Sequence, residues 1–437
     1  MQIRRAVGLV AALLISCSSS VPSPEPRSSA TAQPSVSTEP TASAAPVTAI
    51  PAQAVVKRKW FTLPDGLFGG PGGIYAQFAA DPTRLSPLAR LRPSGREAPF
   101  QASTGPNFMA ATIELGGLAP GVYAVDVVEH LGGGVETVVA TAEILVSQPE
   151  YVLWTLDFEG DAAPDETMAN TAAIADGLGV PMTIMWNPRV WTTTDFAPAR
   201  ADAMLAWTKG RAAKGDEIAL HLHAWTDFVR AAGVGPRTAP NWGGRSDGYD
   251  VPLTAFDESE TRRMLDYALK LMADHGMPRP TTFRAGGLFA NAANLRAIAA
   301  AGFTVDTSAA PAGGFGRLLL PWTLNADAQP YRPSRDDANV PGDLPLLEVP
   351  NIAGNTYALD ARTIAPVIAA DLAMLAPAGA AATSRRALTL VSHPGTVDAT
   401  ERAAIESLFR AFEPLRYDKD NGPVRFVTLS QLAQALK

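Results

Sequence analysis

Strand and helix patterns alternate along residues 149–437, and this alternation restricts the fold more than any other feature of the sequence. Short apolar runs indicate buried strands, and stretches with a helical period lie between them. Parallel neighbours need long crossovers, which helices supply, so the pattern predicts a parallel (β/α) barrel. The predicted strands are 151–156, 181–186, 217–223, 281–284, 303–306, 346–349, 387–392 and 424–427. The predicted helices are 166–178, 198–214, 258–275, 291–301, 363–375 and 401–412.

Residues 55–148 carry a different pattern, in which short β-branched runs are separated by turns rich in glycine and proline. The runs cover residues 55–63, 73–78, 109–115, 121–129 and 135–146. Several short strands at this spacing predict a small all-β, immunoglobulin-like sandwich. Ionisable residues do not cluster there. We therefore expect this domain to act as a spacer or to contact carbohydrate, and to be dispensable for chemistry.

The N-terminus has the composition of an export signal. Arg4 and Arg5 precede a short apolar run that ends in Leu14-Ile15-Ser16-Cys17, which resembles the bacterial lipobox. We expect residues 1–17 to be a lipoprotein signal peptide and Cys17 to be lipidated. The alternative is an ordinary secretory signal with an incidental cysteine. The expected location is exported and lipid-anchored to the bacterial cell envelope.

Residues 18–54 are mostly Ser, Pro, Thr and Ala without an apolar period, which predicts a disordered tether. The net charge of −7 is spread without long basic runs, so no nucleic-acid partner is expected. Membrane contact is expected through the lipid anchor only. The chain has a single cysteine, which excludes an intramolecular disulfide framework.

The ends of the predicted strands carry ionisable side chains, which in a parallel barrel would meet at one face. These residues are Asp157, Glu159, Asp161, His221, His223, Arg284, Asp306 and His393. Chance would scatter such residues along the helices as well. Their grouping at one face is the strongest argument in the sequence for an enzyme.

His221 and His223 lie two apart on a predicted strand, so their side chains point the same way and can bind one metal ion. The alternative is that both are hydrogen-bonded residues lining a polar cleft. Glu159 or Asp161 would supply an acidic ligand. Glu159 is favoured, because on an extended strand it shares a face with Asp157, whereas Asp161 follows a glycine. A divalent metal is expected, with zinc as the preferred ion.

The order of these motifs resembles the polysaccharide deacetylase family, the carbohydrate esterases with a NodB-type homology domain, over residues 150–437. The likeness is to a divergent branch with an aspartate-x-glutamate first motif and a histidine-x-histidine second motif. It implies that Asp157 is the catalytic base and that His221 is a ligand. Trp225 stands where the family commonly has its second histidine, so His223 would take that role.

The same resemblance covers three later motifs. Phe283-Arg284-Ala285-Gly286-Gly287 is similar to the third, whose arginine orients the base, although the usual proline is absent. Asp306 belongs to a segment similar to the fourth and would orient His393 or Arg284. His393 belongs to one similar to the fifth, which implies that it is the catalytic acid. Arg284 as a structural ion-pair residue and His393 as a core residue are the alternatives.

The resemblance implies a metal-dependent hydrolase that removes N-acetyl groups from an amino-sugar polysaccharide or cell-envelope glycan. The expected partner is an acetylated polysaccharide or glycan, and Trp186 and Trp225 are candidates for stacking on a sugar ring. Two other functions stay open. One is a non-catalytic, glycan-binding surface lipoprotein with a degenerate site, and the other is an esterase or amidase on another acyl substrate.

Overall fold

The computed structural model describes residues 55–68, 73–79, 87–103, 108–130 and 133–437. The predicted signal peptide, Cys17 and the predicted tether lie outside these ranges. All described residues belong to one compact unit. Within them, no helix combines the length and the apolar character that crossing a membrane requires.

The N-terminal part of the described chain is all-β and forms two sheets around a shared core. One sheet has the strand order β1-β8-β7-β3-β4 and the other the order β2-β6-β5. The strands are β1 (Trp60–Thr62), β2 (Ile74–Ala79), β3 (Leu88–Arg92), β4 (Arg96–Pro99), β5 (Gln101–Ala102), β6 (Phe108–Ile113), β7 (Gly121–His130) and β8 (Glu136–Ser147). Buried side chains of both sheets, such as Phe78 and Val125, pack in one cluster. The immunoglobulin-like topology stays a prediction.

The sequence pattern did not predict β3, β4 and β5. β5 has only two residues, and polar pairs join β3 and β4 to their sheet, so the apolar signal that marks a strand is weak at all three. Arg90 on β3 donates to Glu136 on β8 at 2.8 Å, and it also pairs with Glu97 on β4. Such cross-strand charge pairs stabilise the surface of a sheet, but they cannot be recognised from the spacing of apolar residues.

The second part of the chain is a curled, parallel sheet with helices around it, so the predicted fold class is confirmed. The order of its main path is β16-β13-β12-β11-β10-β9-β17, and β18 also pairs with β9. The strands are β9 (Glu150–Asp157), β10 (Met182–Trp186), β11 (Glu217–Leu222), β12 (Thr282–Ala285), β13 (Val305–Asp306), β14 (Gly314–Phe315), β15 (Leu318–Leu319), β16 (Leu347–Glu348), β17 (Arg386–Ser392) and β18 (Val424–Phe426). The helices are α1 (Asp165–Leu178), α2 (Pro198–Ala212), α3 (Thr226–Ala231), α4 (Glu258–Asp274), α5 (Ala292–Ala300), α6 (Ile364–Ala373), α7 (Ala399–Ala411) and α8 (Leu429–Ala435).

An irregular segment, and not a ninth strand, bridges the gap between β16 and β17. Ala353 N donates to Thr389 O at 3.2 Å, and Thr356 N donates to Val391 O at 2.8 Å. The main chain of residues 353–356 therefore runs along β17. This arrangement brings Gly354 and Asn355 to the end of the sheet where the ionisable residues lie.

Two insertions that the sequence did not predict as regular structure cover the same end. They are the loop 226–254, which begins with α3, and the hairpin β14–β15. Arg317 N in the hairpin donates to Trp242 O in the loop at 3.0 Å. Gly248 allows the loop to approach closely, because its φ is +84° and a Cβ there would lie 2.4 Å from the Ala224 carbonyl oxygen.

The all-β part and the barrel contact each other through hydrogen bonds and through a small apolar cluster. Asp420, in the loop before β18, accepts hydrogen bonds from the main-chain N–H groups of Lys59 (2.8 Å) and Trp60 (2.9 Å). Trp60 packs with Leu145 and Tyr417 in a small buried cluster. Only two residues separate β8 from β9. The contacts favour a fixed position of the all-β part on the barrel, and its role as a spacer or in carbohydrate contact stays a prediction.

We predict that Asp420→Ala lowers the free energy of unfolding by about 1–3 kcal/mol, because two main-chain donors lose a charged acceptor. Chemical denaturation followed by fluorescence measures this. The matched control is the neighbouring Lys419→Ala, which removes an exposed ion pair with Glu413 and is expected to change stability by less than about 0.5 kcal/mol. Equal stability of the two variants would show that the contact region contributes nothing and that the two parts are independent.

Candidate metal centre and active site

Glu159 lies just beyond the first strand of the barrel, in a turn. We had predicted that Glu159 shares an extended strand with Asp157, but the strand ends at Asp157. Gly160 turns the chain with a φ of +87°. The main-chain oxygen of Glu159 accepts hydrogen bonds from Asn187 Nδ2 at 3.1 Å and from Trp225 Nε1 at 2.8 Å. These two hydrogen bonds, and not strand geometry, fix the main chain of the turn that carries the Glu159 carboxylate.

His221 and His223 each have one ring nitrogen against a main-chain carbonyl. His221 Nδ1 lies 3.1 Å from Arg284 O, and His223 Nδ1 lies 2.7 Å from Tyr249 O. A carbonyl oxygen only accepts, so we assign a proton to Nδ1 in both rings. In the neutral imidazole, Nε2 then carries the lone pair, which is the arrangement that a metal ligand requires.

The two Nε2 atoms converge on the Glu159 carboxylate. Glu159 Oε2 lies 2.5 Å from His223 Nε2 and 3.7 Å from His221 Nε2. Potential ligand atoms of the three residues all lie within 4.8 Å of one another. His221 Nε2 is buried and makes no hydrogen bond. One carboxylate and two imidazoles form a donor set that suits zinc and similar divalent ions.

The charges in this cluster are strongly coupled. Burial by itself would raise the pKa of Glu159, but the charge of His223 and the polar contacts with His221, His223 and His393 outweigh it, so this pKa lies well below its usual range. Burial would lower the pKa of His223, but Glu159 more than compensates and raises it. The Glu159 carboxylate therefore stays ionised, and an ion would compete with a proton for the ring of His223.

Arg284 is fully buried, and all five of its N–H groups have acceptors. Nη1 donates to Asp157 Oδ1 and Thr155 Oγ1, both at 2.7 Å. Nη2 donates to Asn351 Oδ1 at 2.6 Å and Thr307 Oγ1 at 3.2 Å, and Nε donates to Thr307 O at 3.1 Å. A buried guanidinium with five partners is held rigidly, and so is the Asp157 carboxylate that neutralises it.

The second oxygen of Asp157 faces the cluster. Asp157 Oδ2 lies 3.9 Å from His221 Nε2. The carboxylate thus bridges the buried arginine and the candidate metal ligands. This is the place in which a general base could reach a water molecule beside an ion.

His393, after β17, reaches the cluster from the other side. Its Nε2 lies 3.1 Å from Glu159 Oε1, and its buried Nδ1 makes no hydrogen bond. His393 also forms a group of potential ligands with Asp157 and Glu159. Burial would lower its pKa, but the hydrogen bond and charge of Glu159 raise it. The geometry allows both a proton-donating and a metal-binding role for this ring.

Asp306 does not orient either of the residues that we predicted it to orient. Its carboxylate accepts from Ser308 Oγ at 2.9 Å and from Ser308 N at 3.2 Å. Ser308 Oγ in turn accepts from Ala285 N at 2.9 Å. No hydrogen bond joins Asp306 to Arg284, whose five donors have other acceptors, or to His393. Asp306 therefore supports the main chain beside Arg284 rather than a catalytic side chain.

Asp306 has a buried acidic neighbour, Glu348, on the adjacent strand. Burial, the charge of Asp306 and a hydrogen bond with it raise the pKa of Glu348 well above its usual range. Burial likewise raises the pKa of Asp306, to about 6. Two buried carboxyl groups in contact favour sharing a proton, because both cannot ionise at low cost. Sequence reasoning missed Glu348, since an acidic residue inside a short apolar run gives no sign of its partner.

Three other predicted site residues are not members of the ligand cluster. Asp161 is exposed and belongs to neither group of potential ligands. Trp186 is fully buried, and Trp225 is 3% exposed. Trp186 packs against Phe158, and Trp225 lies beneath the Arg189 guanidinium at 3.6 Å. Neither tryptophan offers a ring face to a sugar, which corrects our prediction that they stack on substrate.

Aromatic residues that the sequence did not single out surround the cluster. The Tyr249 ring stacks on His223, with ring centroids 4.2 Å apart and an interplanar angle of 3°. Phe315 and Tyr357 are 37% and 62% exposed. All three come from the loops that cover the barrel. The only signal in the sequence was the length of the 228–254 stretch, because long loops in compact domains are commonly functional.

Two adjoining cavities open at this site. The outer one has a volume of about 420 Å³, and the inner one a volume of about 220 Å³. Six residues line both of them, namely Asp157, Glu159, Tyr249, Phe315, Asn355 and His393. The candidate base, the carboxylate ligand and the candidate acid therefore lie where the two cavities meet.

Comparison with known proteins gives likenesses of structure only. No family model and no curated protein matches the sequence. A protein from Mycobacterium smegmatis, whose assignment as a polysaccharide deacetylase is itself provisional, is 17% identical with a TM-score of 0.43 over 65% of this chain and 89% of that chain. The family 4 carbohydrate esterase from Streptomyces lividans is 10% identical with a TM-score of 0.34, covering 66% and 95%. Peptidoglycan deacetylase from Bacillus subtilis is 11% identical with a TM-score of 0.32, covering 66% and 91%.

The Mycobacterium smegmatis structure carries the name of the family that the sequence motifs resemble, and the other two are described as a carbohydrate esterase and a peptidoglycan deacetylase. The identities and TM-scores are low, however, and a shared fold does not establish a shared activity. The case for a function of this chain therefore rests on the geometry of its own site.

Proposed function

We propose that this protein is a metal-dependent hydrolase that removes N-acetyl groups from an amino-sugar polysaccharide or cell-envelope glycan. The observation that carries the proposal is the convergence of Glu159, His221 and His223 beside Asp157, whose carboxylate Arg284 holds. A structural ion pair does not require two imidazoles whose Nε2 atoms face one carboxylate. The low-identity structural likenesses are not needed for this argument.

The residues divide the reaction between them. Glu159, His221 and His223 would hold a divalent ion such as zinc, which would supply Lewis acidity toward a water molecule and the acyl carbonyl. Asp157 accepts the proton of the attacking water, and Arg284 keeps this carboxylate ionised and in place. His393 donates a proton to the departing nitrogen. A carbon–oxygen bond forms and the carbon–nitrogen bond breaks, so one amide and one water give acetate and a sugar amine.

The test is metal removal and replacement on the purified protein. Chelation is expected to abolish acetate release from N-acetylglucosamine oligomers, and zinc or cobalt is expected to restore it. Metal content per chain is measured on the same samples. A protein that binds no divalent metal, and that releases no acetate when either ion is supplied, would instead favour the non-catalytic, glycan-binding function.

We also propose, on the sequence alone, that the protein is exported and anchored by a lipid on Cys17. One acyl chain binds a membrane only weakly, whereas several give stable anchoring. Replacement of Cys17 by serine is expected to abolish incorporation of a fatty-acid probe and to shift the protein out of the membrane fraction. A variant that keeps both the label and the membrane location would refute the anchor.

A further inference from the structure

The two cavities differ in the groups that line them. Besides the six shared residues, the outer cavity is lined by both polar and apolar groups, among them Asp161, Thr396 and Phe158, and Tyr357 lies at its exposed edge. The further residues of the inner cavity are mostly apolar or glycine, and they are His223, Trp242, Gly287, Leu288, Asn351, Gly354 and Val391. The outer cavity therefore suits a sugar with its hydroxyl groups, and the inner cavity suits an apolar group.

The positions of the reacting groups indicate which part of an amide substrate each cavity would hold. The candidate base and acid line both cavities, so the acyl carbon under attack lies at their junction. If the sugar amine lies in the outer cavity, the acyl group extends into the inner one. Of the candidate metal ligands, Glu159 lines both cavities and His223 lines the inner cavity only, so a bound ion would lie at the junction on the acyl side.

The inner cavity is larger than an acetyl group needs. A metal ion, one water, and the carbonyl and methyl groups of an acetyl are each about the size of a water molecule, whose share of liquid volume is about 30 Å³. Together they fill a little more than half of the 220 Å³. The remaining space is bordered by Trp242, Leu288 and Val391, and it has room for at least two further methylene groups.

We propose that the inner cavity is an acyl-binding pocket that takes amide-linked acyl groups longer than acetyl, with butyryl favoured. The inference rests on the proposed function and extends it to a second class of substrate. Burial of each added methylene in an apolar pocket is expected to raise kcat/KM about fourfold, which corresponds to about 0.8 kcal/mol. Hydrolysis follows the same balance, in which water and the amide give a carboxylate and an amine.

Leu288 is the residue to vary, because it lines the inner cavity and not the outer one. Its side chain is half-buried, and only its main-chain oxygen accepts a hydrogen bond, from Trp322 Nε1 at 2.7 Å. Leu288→Phe narrows the pocket, whereas Leu288→Ala widens it. The matched control is Leu319→Phe, since Leu319 is 83% exposed and lines neither cavity.

The experiment compares kcat/KM of the zinc-loaded protein on glucosamine oligomers that carry N-acetyl, N-propionyl or N-butyryl groups. The wild type is expected to prefer butyryl over acetyl by about 16-fold, because butyryl has two more methylene groups. Leu288→Phe is expected to lower this ratio at least tenfold, Leu288→Ala to keep or raise it, and Leu319→Phe to leave it unchanged. Calorimetry with acetate and butyrate gives a second measurement, in which butyrate binds the wild type more tightly.

A wild type that hydrolyses the acetyl substrate and loses activity with each added methylene would overturn the acyl-pocket inference and leave the proposed function intact. A butyryl-to-acetyl ratio of kcat/KM that is the same in Leu288→Phe and Leu319→Phe would overturn the inference as well. A metal-loaded protein that hydrolyses none of the three substrates would overturn the proposed function, and the inference with it.

Discussion

Glu159→Ala is expected to leave the purified protein almost free of divalent metal. The Glu159 carboxylate is the one group that faces all three histidines of the site, at 2.5 Å from His223, 3.7 Å from His221 and 3.1 Å from His393. Its removal takes away a direct ligand. Metal affinity is therefore expected to fall by more than the roughly 10–100-fold that loss of a supporting residue costs.

The measurement is metal content after dialysis, followed by zinc titration of the metal-free protein. The matched control is Asp161→Ala, which removes a carboxylate two residues away in the same turn, and which is expected to keep its metal. His223→Ala should resemble Glu159→Ala, since it also removes a direct ligand. If Asp161→Ala emptied the site and Glu159→Ala did not, the ligand assignment would be reversed.

Asp157→Asn is expected to lower turnover by about 10²–10⁴-fold, the range typical for the loss of a general base, while metal stays bound. Asparagine has nearly the same shape and still offers an oxygen to Arg284, but it takes no proton from water. The variant also leaves the buried guanidinium without its charge partner, so some loss of stability is expected too. Acetate release, metal content and thermal unfolding are therefore measured together.

Asp306→Asn is the matched control for this prediction. Asp306 is buried, like Asp157, and lies near Arg284. Its carboxylate accepts a hydrogen bond from Ser308, however, and contacts the buried carboxyl group of Glu348. We expect this variant to retain turnover within about tenfold, because only the support of the main chain is altered. If Asp157→Asn turned over substrate as fast as Asp306→Asn, the proton acceptor would be a residue other than Asp157.

Several features of the site were predictable because they depend on residues that are close in sequence. Two histidines two apart at the end of an apolar run imply side chains on one face. Parallel strands that end in ionisable residues imply that those residues meet at one face of a barrel. In the structure His221 and His223 do converge on Glu159, and Arg284 contacts Asp157.

Features that depend on distant segments were not predictable in this way. Trp225 follows the histidine pair at a strand end, where a sugar-stacking role is reasonable. In the structure its ring is buried beneath Arg189, and its Nε1 holds the Glu159 main chain. Tyr249, which supports His223 by stacking and through its carbonyl oxygen, lies in a loop without any periodic pattern.

The alternation of strands and helices, the all-β part before it, and the side chains that meet at the strand ends could all be predicted from the sequence. Periodicity and the alternation of faces are properties of neighbouring residues, so they can be recognised without knowledge of the fold. How those side chains are held depends instead on contacts between distant segments. Asp157 is 127 residues from Arg284, and His223 is 26 residues from Tyr249, whose carbonyl oxygen sets its tautomer. The size of the acyl-side cavity likewise depends on two insertions that meet only after folding, because packing between distant segments, and not local preference, sets the space that remains.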